Sequence, residues 1–361
     1  MRILFLTNSD EGAYKFRREF LEELLKDNEV FLSSIYGQYV EKLEELGCKY
    51  IRTDFNRKGT NPFKDLKLLK RYIKMLEEVK PDCVLTYTIK PNVYGGLACQ
   101  IKKIPYITTI TGLGSSIENG GLLSLISLNL YKIALRKAKK VFFQNSYNLD
   151  FLVNKKVVKK DITQLVPGSG VNLKQFKILD YPDDKQIYFA YAGRVLKEKG
   201  FDQYIDVAKY IKNKYPNTHF LVCGGIEDDY KQIIDELSKE NIIEYCGNVV
   251  DMVTNIYSKI HCLIHPSFYA EGLSNVLLES LACARPIITT DKPGCKELVI
   301  DGEDGYLIKQ KDSGDLINKV EMFLSLTNNQ KKQMGLNGRK FVEEKYDRNI
   351  VINEYIKAIK E

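Results

Sequence analysis

Hydrophobic residues in this chain come in short runs separated by longer amphipathic stretches. In the first half, apolar runs near 2–7, 29–34, 49–53, 83–87, 105–110, 140–143 and 163–166 have the length and composition of buried strands. Between them, apolar positions recur at helical spacing near 14–26, 37–46, 63–78, 92–101, 122–137 and 146–154. The second half repeats the alternation, with strands near 187–192, 218–223, 242–245, 260–264, 286–289 and 306–308. Its helices fall near 200–213, 228–239, 250–258, 274–283, 294–299 and 313–324. Uninterrupted alternation of this kind predicts α/β architecture with parallel sheets, and two such series predict two doubly wound domains. Periodicity lapses from Asn172 to Asp184, after Pro167-Gly-Ser-Gly170 and around Pro182, which marks a linker. Two helices, near 327–345 and 348–359, close the chain. The expected division is 1–175, 176–345 and a terminal helical segment 346–361.

Size agrees with two domains: 361 residues exceed one ordinary core. Hydrophobic content of 44% and charged content of 28% belong to a soluble globular chain. Eight cysteines are scattered without a C-x-x-C pair, and read as small buried hydrophobes in a reducing compartment. The three histidines, His219, His261 and His265, form no metal-ligand pattern, so no metal site is expected. Neither a signal peptide nor an apolar stretch of spanning length is legible, which predicts a cytoplasmic protein. The net charge of +7 is unevenly spread. Residues 1–180 carry 30 Lys and Arg against 19 Asp and Glu, and the remainder carries 24 against 28. A basic first half suits a polyanionic partner such as nucleic acid, an anionic membrane or a lipid diphosphate.

The chemistry concentrates in two segments. In His265-Pro-Ser-Phe-Tyr-Ala-Glu271-Gly-Leu-Ser-Asn-Val-Leu-Leu-Glu279, an apolar run ends at Ile264, and Pro266, Ser267 and Gly272 break it. Ser274 and Asn275 then stand where a helix N-cap belongs. One carboxylate therefore lies on a loop beyond a strand and the other inside the next helix. Between them is a helix N-terminus with unpaired N–H groups and a positive dipole end. A ligand with hydroxyls at both ends and negative charge between them, such as a sugar nucleotide, fits that order. Upstream, the strand Ile187–Ala192 runs into Gly193-Arg194-Val-Leu-Lys-Glu-Lys199-Gly200. Arginine can fork onto phosphate oxygens, and lysine adds a point charge.

With both segments in this order, the chain resembles a retaining family-4 glycosyltransferase of the GT-B fold, along nearly its whole length. Tyr87-Thr-Ile-Lys90-Pro91-Asn92-Val-Tyr-Gly95 and Thr111-Gly112-Leu113-Gly114 resemble bacterial enzymes that build O-antigen, capsule or N-glycan precursors on undecaprenyl diphosphate. Within that subfamily the pattern is most similar to the N-acetylgalactosaminyltransferase group. The resemblance implies two Rossmann-like domains facing each other across a cleft, the last helix crossing back onto the first domain. It implies a UDP-sugar as donor, no separate cofactor, and a lipid-linked saccharide as acceptor.

The same resemblance assigns roles. Arg194 and Lys199 neutralise the leaving diphosphate, and Glu271 contacts hydroxyls of the transferred sugar. The loop at Gly12 lies near the donor diphosphate and the acceptor, and Gly193 falls on the donor side. The backbone of Gly272, Leu273, Ser274 and Asn275 assists at sugar and phosphate, and Glu279 accepts hydrogen bonds from the ribose. Gly247, Asn248 and Val249 frame the base. Tyr14, Arg17, Lys90, Asn92, Thr111, Gly112 and Gly114 fall on the acceptor side. Many family members carry a histidine near Thr111 that touches the transferred sugar. This chain has none before His219, which leaves the sugar open among N-acetylhexosamines and galactose.

Three other readings bear on function. A hydrolase acid/base pair fits poorly: were both carboxylates helical, eight residues would offset them by about 12 Å, against roughly 5–9.5 Å in glycosidases, and a loop-to-helix placement does not force them together either. A GT-B sugar-nucleotide epimerase would need acidic and histidine residues that are not found here. A nucleic-acid-binding protein would leave both glutamates idle. The segment from Gly120 to Lys140, apolar and then basic, can lie at a membrane interface. The expectation is that most of its apolar face packs on the core, its basic end complementing the helix dipole. Lys64, Lys67, Lys70, Arg71 and Lys74 form a second basic stripe, open between solvated surface and membrane contact. With a lipid-linked acceptor implied, the expected location is peripheral on the inner face of the plasma membrane, with no nucleic-acid partner.

Overall fold

The computed structural model describes residues 1–56, 61–118 and 120–361. Two parallel sheets form, as the alternation predicts. The first contains β1 (Arg2–Leu6), β2 (Glu29–Ser34), β3 (Lys49–Arg52), β4 (Cys83–Tyr87), β5 (Tyr106–Ile110), β6 (Lys140–Phe143) and β7 (Thr163–Leu165). Their order is β3-β2-β1-β4-β5-β6-β7. The second contains β8 (Ile187–Ala192), β9 (Thr218–Cys223), β10 (Glu244–Gly247), β11 (Cys262–His265), β12 (Ile287–Thr290) and β13 (Gly305–Ile308), ordered β10-β9-β8-β11-β12-β13. Helices cover both faces, so the central strands are buried throughout: Ile3 to Leu6 in β1 and Phe189 to Tyr191 in β8 are 0% exposed.

Strand order reverses between β1 and β4 in one sheet and between β8 and β11 in the other. At such a switch point the two connections leave in opposite directions and open a crevice beyond the strand ends. The segments singled out in the sequence follow just these strands: Gly12 to Arg17 after β1, Lys90 to Asn92 after β4, Gly193 to Lys199 after β8, and Glu271 to Glu279 after β11.

The chain divides into two units. One comprises Met1–Ser169, Ala270–Leu273 and Asn349–Glu361, and the other Gly170–Tyr269 and Ser274–Arg348. The division falls at Ser169/Gly170 where the sequence suggested 175/176, and the presumed linker is not loose. Buried Arg285 donates to the carbonyls of Tyr257 (2.7 Å) and Asp180 (2.6 Å), Arg339 donates to Phe176 O (2.7 Å), and Lys331 pairs with Asp184 (2.9 Å). In segment 172–184, side chains of Arg339, Arg285 and Asn328 hold the carbonyls of Phe176, Leu179, Asp180 and Pro182. The terminal helix Arg348–Lys360 places Val351, Ile352, Tyr355, Ala358 and Ile359 in the same core as Ile3, Phe5 and Phe20. The Tyr355 ring lies 4.4 Å from that of Phe142, and its hydroxyl meets that of Thr109 at 2.6 Å.

Several helices differ from their predicted form. Helix Asp10–Leu25 starts four residues before the predicted 14, because Ser9 caps it by accepting from Gly12 N–H (3.1 Å). The predicted helix near 92–101 opens as a wide turn over Pro91–Gly95 before Gly96–Lys102, and 250–258 contains another at Val253–Tyr257. Only Lys296–Leu298 of the predicted 294–299 is helical. No helix among the described residues is long and apolar enough to cross a membrane.

Candidate active site

In the second unit, three glycines end three neighbouring strands in left-handed backbone: Gly193 after β8 (φ 140°), Gly224 after β9 (φ 139°) and Gly247 closing β10 (φ 69°). They are linked in series, Gly193 N–H to Cys223 O (2.9 Å) and Gly224 N–H to Gly247 O (2.8 Å). A side chain on Gly224 would run into the Gly193 carbonyl, whereas one on Gly193 or Gly247 would meet no atom within 4 Å. The strand ends therefore present bare backbone to open space, which suits close approach of a ligand. Asn248, exposed, stands beside Gly225, and Val249 is half-buried.

The loop after β8 is fastened to the loop after β11. Gly200 (φ 73°) lies against Pro266, where any side chain would collide with the Pro266 carbonyl, and Phe268 N–H donates to Glu198 O (2.9 Å). That contact brings the two cations together. The Arg194 guanidinium lies 5.7 Å and the Lys199 ammonium 5.2 Å from the centre of the same ring, Tyr269. Arg194 also pairs with Glu227 at 3.4 Å, an exposed contact worth little by itself. Two cations thus share one aromatic platform beyond β8 and β11, an arrangement whose charge suits a doubly charged anion.

Glu279 lies in helix Asn275–Ala282 and is half-buried. The Tyr257 hydroxyl donates to its Oε2 at 3.1 Å. Tyr257 is 0% exposed, and burial first, then the Glu279 charge, raises its phenol well above the ordinary value, so it remains a donor. Arg285 holds the Tyr257 carbonyl in turn, so the carboxylate stands on a supported base. Ser274 is the N-cap residue, as its position suggested, but its hydroxyl makes no cap bond. It pairs with His265 Nε2 at 3.2 Å.

In the first unit, Ala270–Leu273 packs against the turn after β5. A side chain on Gly112 (φ 141°) would stand 2.9 Å from Ala270 O, and one on Gly272 would stand 2.6 Å from Thr111 O. Both glycines are needed for this contact. Asn145, buried, fixes the same segment: its Nδ2 donates to Glu271 O (3.2 Å) and to Gly272 O, while its Oδ1 caps helix Ser146–Asn154 through Asn148 N–H (2.8 Å). Leu273 packs against Gly168, and Gly114 (φ 76°) against Ile89. Arg17 stacks 4.1 Å from the centre of the Tyr87 ring and donates to Ser169 Oγ (3.2 Å). Tyr14 stacks on Tyr39 (5.2 Å between ring centres).

Two acceptor-side assignments do not fit this geometry. Asn92 is 1% exposed and donates to Thr109 O (2.9 Å), which ties its turn to β5 and leaves the side chain facing the interior. Lys90 is spent on Asp65 (2.6 Å), which also accepts from the Tyr94 hydroxyl (2.9 Å). Sequence reasoning missed Asn145, Tyr257 and Tyr269. Asn145 was legible as an N-cap at most, because its second set of partners lies more than a hundred residues away. Tyr269 lay within the quoted motif but gives no sign there of which cations it meets. Among the described residues, no three His, Cys, Asp or Glu side chains gather as metal ligands would.

The twin parallel sheets and these strand-end sites define a GT-B glycosyltransferase, and the comparisons agree. Residues 174–341 match the family of glycosyl transferases group 1 and residues 2–145 the glycosyl transferase 4-like family; the chain belongs to these glycosyltransferases. It is 28% identical to the N,N'-diacetylbacillosaminyl-diphospho-undecaprenol alpha-1,3-N-acetylgalactosaminyltransferase of Campylobacter jejuni, over 99% of this chain and 98% of that one. It is 27% identical to the capsular polysaccharide biosynthesis glycosyltransferase CapM of Staphylococcus aureus, over 81% and 80% of the two chains. Its fold is similar to that of Anabaena Alr3699/HepE, solved in complex with UDP (TM-score 0.79, 19% identity, 99% and 98% covered).

Proposed function

We propose that this glycosyltransferase moves an N-acetylhexosamine, such as N-acetylgalactosamine, or a galactose from a UDP-sugar to a saccharide carried on a polyprenyl diphosphate, as a step in building a bacterial surface polysaccharide or glycan. The observation that carries the reading is the convergence of Arg194 and Lys199 on Tyr269, with Glu279 braced on the helix that follows β11. Full-length similarity to an enzyme whose name specifies a diphospho-undecaprenol acceptor supports the acceptor class. A similar fold that binds UDP supports the nucleotide.

In this reading the two cations take the diphosphate, Glu279 takes the ribose hydroxyls, and Glu271 takes hydroxyls of the transferred sugar. Reaction breaks the bond from the anomeric carbon to the β-phosphate oxygen, and the electron pair stays on that oxygen. Charge grows there in the transition state, where Arg194 and Lys199 are worth most. The acceptor hydroxyl bonds to the same face of the anomeric carbon and passes its proton to the departing phosphate, so configuration is retained without a protein base. In this reading the two cations take the part that a divalent ion plays in other transferases, and no metal is needed. The acceptor's lipid places the reaction at an anionic inner leaflet, toward which the basic first half is attracted.

Slow hydrolysis of a panel of UDP- and GDP-sugars, with no acceptor present, tests the donor. UDP-N-acetylhexosamine or UDP-galactose should turn over fastest, and UDP should protect against thermal unfolding while DNA and RNA do not. Preference for a GDP-sugar would overturn the nucleotide assignment. Protection by nucleic acid in place of UDP would overturn the function.

A further inference from the structure

Helix Gly121–Leu135 carries no charged residue before Lys132 and is apolar on nearly every side of its first half. A helix of that kind is normally enclosed by other protein. This one is not, contrary to the expectation that most of its apolar face packs on the core. Ser124, Tyr131, Ala134 and Leu135 are buried, but Leu122 is 72%, Leu123 53%, Leu125 58% and Ile126 47% exposed. On helix Pro62–Val79, Phe63 is 83% and Leu66 50% exposed, among the exposed lysines Lys64, Lys67 and Lys70.

The two helices border one rim. Both contribute to one core, through Leu68, Tyr72 and Met75 from the first and Tyr131, Ala134 and Leu135 from the second, and segment 91–102 packs against both. Asp65 in the first turn of Pro62–Val79 is bonded to Tyr94 in that segment and to Lys90 just before it. Each helix follows a parallel strand, so its N-terminal turn stands at the carboxyl edge of the sheet, where Gly112 and Gly114 also lie. The exposed aliphatic and aromatic side chains are therefore at the acceptor-side end of the unit, flanked by lysines.

We propose that this rim inserts into a lipid bilayer: Leu122, Leu123, Leu125, Ile126, Phe63 and Leu66 enter the boundary between headgroups and acyl chains of an anionic leaflet, and Lys64, Lys67 and Lys70 meet the headgroup phosphates. The proposal rests on the membrane-borne acceptor above and deepens it, because it makes the anchor apolar as well as electrostatic. A second copy of the chain fits less well, since a two-fold contact over this rim would set its lysines against like charges. A bilayer supplies both an apolar layer and a phosphate layer. Insertion here also sets the carboxyl edge of the first sheet at the membrane surface, where a lipid-linked diphosphate resides.

The test is sedimentation of the full chain with vesicles of phosphatidylcholine alone, or with ~30% phosphatidylglycerol, at low salt and at ~0.5 M salt. Wild type should bind the anionic vesicles most tightly and retain measurable binding to neutral vesicles and at high salt. Leu122→Ser, Leu125→Ser and Ile126→Ser together should lower the partition coefficient at least about tenfold on every vesicle and at both salts. Lys64→Glu, Lys67→Glu and Lys70→Glu together should remove only the salt-sensitive part. Hydrolysis of the UDP-sugar in solution should be unchanged in both variants, so loss of that activity in wild type would tell against the enzyme reading alone. Wild-type vesicle binding by the serine variant overturns the insertion. So does a concentration-dependent dimer that the serine substitutions abolish, or binding that vanishes entirely at high salt.

Discussion

Asn145 is the residue whose replacement discriminates best between a structural and a functional account of this site. Its side chain does two things at once: Oδ1 caps helix Ser146–Asn154, and Nδ2 holds the carbonyls of Glu271 and Gly272. Loss of the cap costs about 1 kcal/mol, and each buried neutral hydrogen bond contributes about 1 kcal/mol net. Asn145→Ala should therefore destabilise the first unit by about 3 kcal/mol. Asn145→Ser keeps a capping oxygen but cannot reach the loop, so its loss should be about 2 kcal/mol. Asn145→Asp retains the cap, with a charge that suits the helix N-terminus, but turns a carboxylate toward two carbonyl oxygens. All three should release the segment that carries Glu271, lowering turnover at least about tenfold while changing the KM for donor less than about threefold. Stability is read by urea unfolding with circular dichroism, the two units fitted as separate transitions, and catalysis by donor hydrolysis and transfer at saturating donor. Wild-type turnover in Asn145→Ser would refute the positioning argument. Equal stability of the Ala and Ser variants would refute the cap.

Arg194→Ala and Lys199→Ala should each cut turnover at least about tenfold with the fold intact, since each charge counts for more in the transition state than in the bound donor; near-normal turnover in either, at saturating donor, removes the diphosphate assignment. Glu279→Ala should weaken UDP binding at least about tenfold with little change in turnover, and Glu271→Ala the reverse; calorimetric UDP titration and steady-state kinetics on both variants decide, and a swapped pattern exchanges the roles. Burial raises the Asp304 carboxyl from 3.8 to about 6. The native state thus holds this proton more tightly than the unfolded chain, and its stability falls as pH rises from about 4 to about 6. Asp304→Asn should accordingly stabilise the second unit by on the order of 2–3 kcal/mol at pH 8 and by little at pH 4, read from urea midpoints at both values.

Much of this molecule is local in origin and was legible in the chain. Strand and helix alternation, the capping position of Ser274, and the glycines at 193, 200, 247 and 272 follow from short-range rules, because backbone hydrogen bonding and left-handed turns are decided within a few residues. The spacing from Arg194 to Lys199 and from Glu271 to Glu279 is what suggested a diphosphate flanked by hydroxyls, the assignment that the proposed function adopts. Tertiary structure alone decided strand order, and with it the switch points that gather those loops. It alone put Arg194 and Lys199 on one tyrosine, gave Glu279 the Tyr257 hydroxyl, and turned Asn92 inward and Lys90 to Asp65. It also exposed Leu122, Leu123, Leu125 and Ile126, although their helix reads as core. A helix that is apolar all round has no periodic signal for which side meets protein. The answer depends on which distant elements pack against it, and no rule of spacing within the helix contains that information.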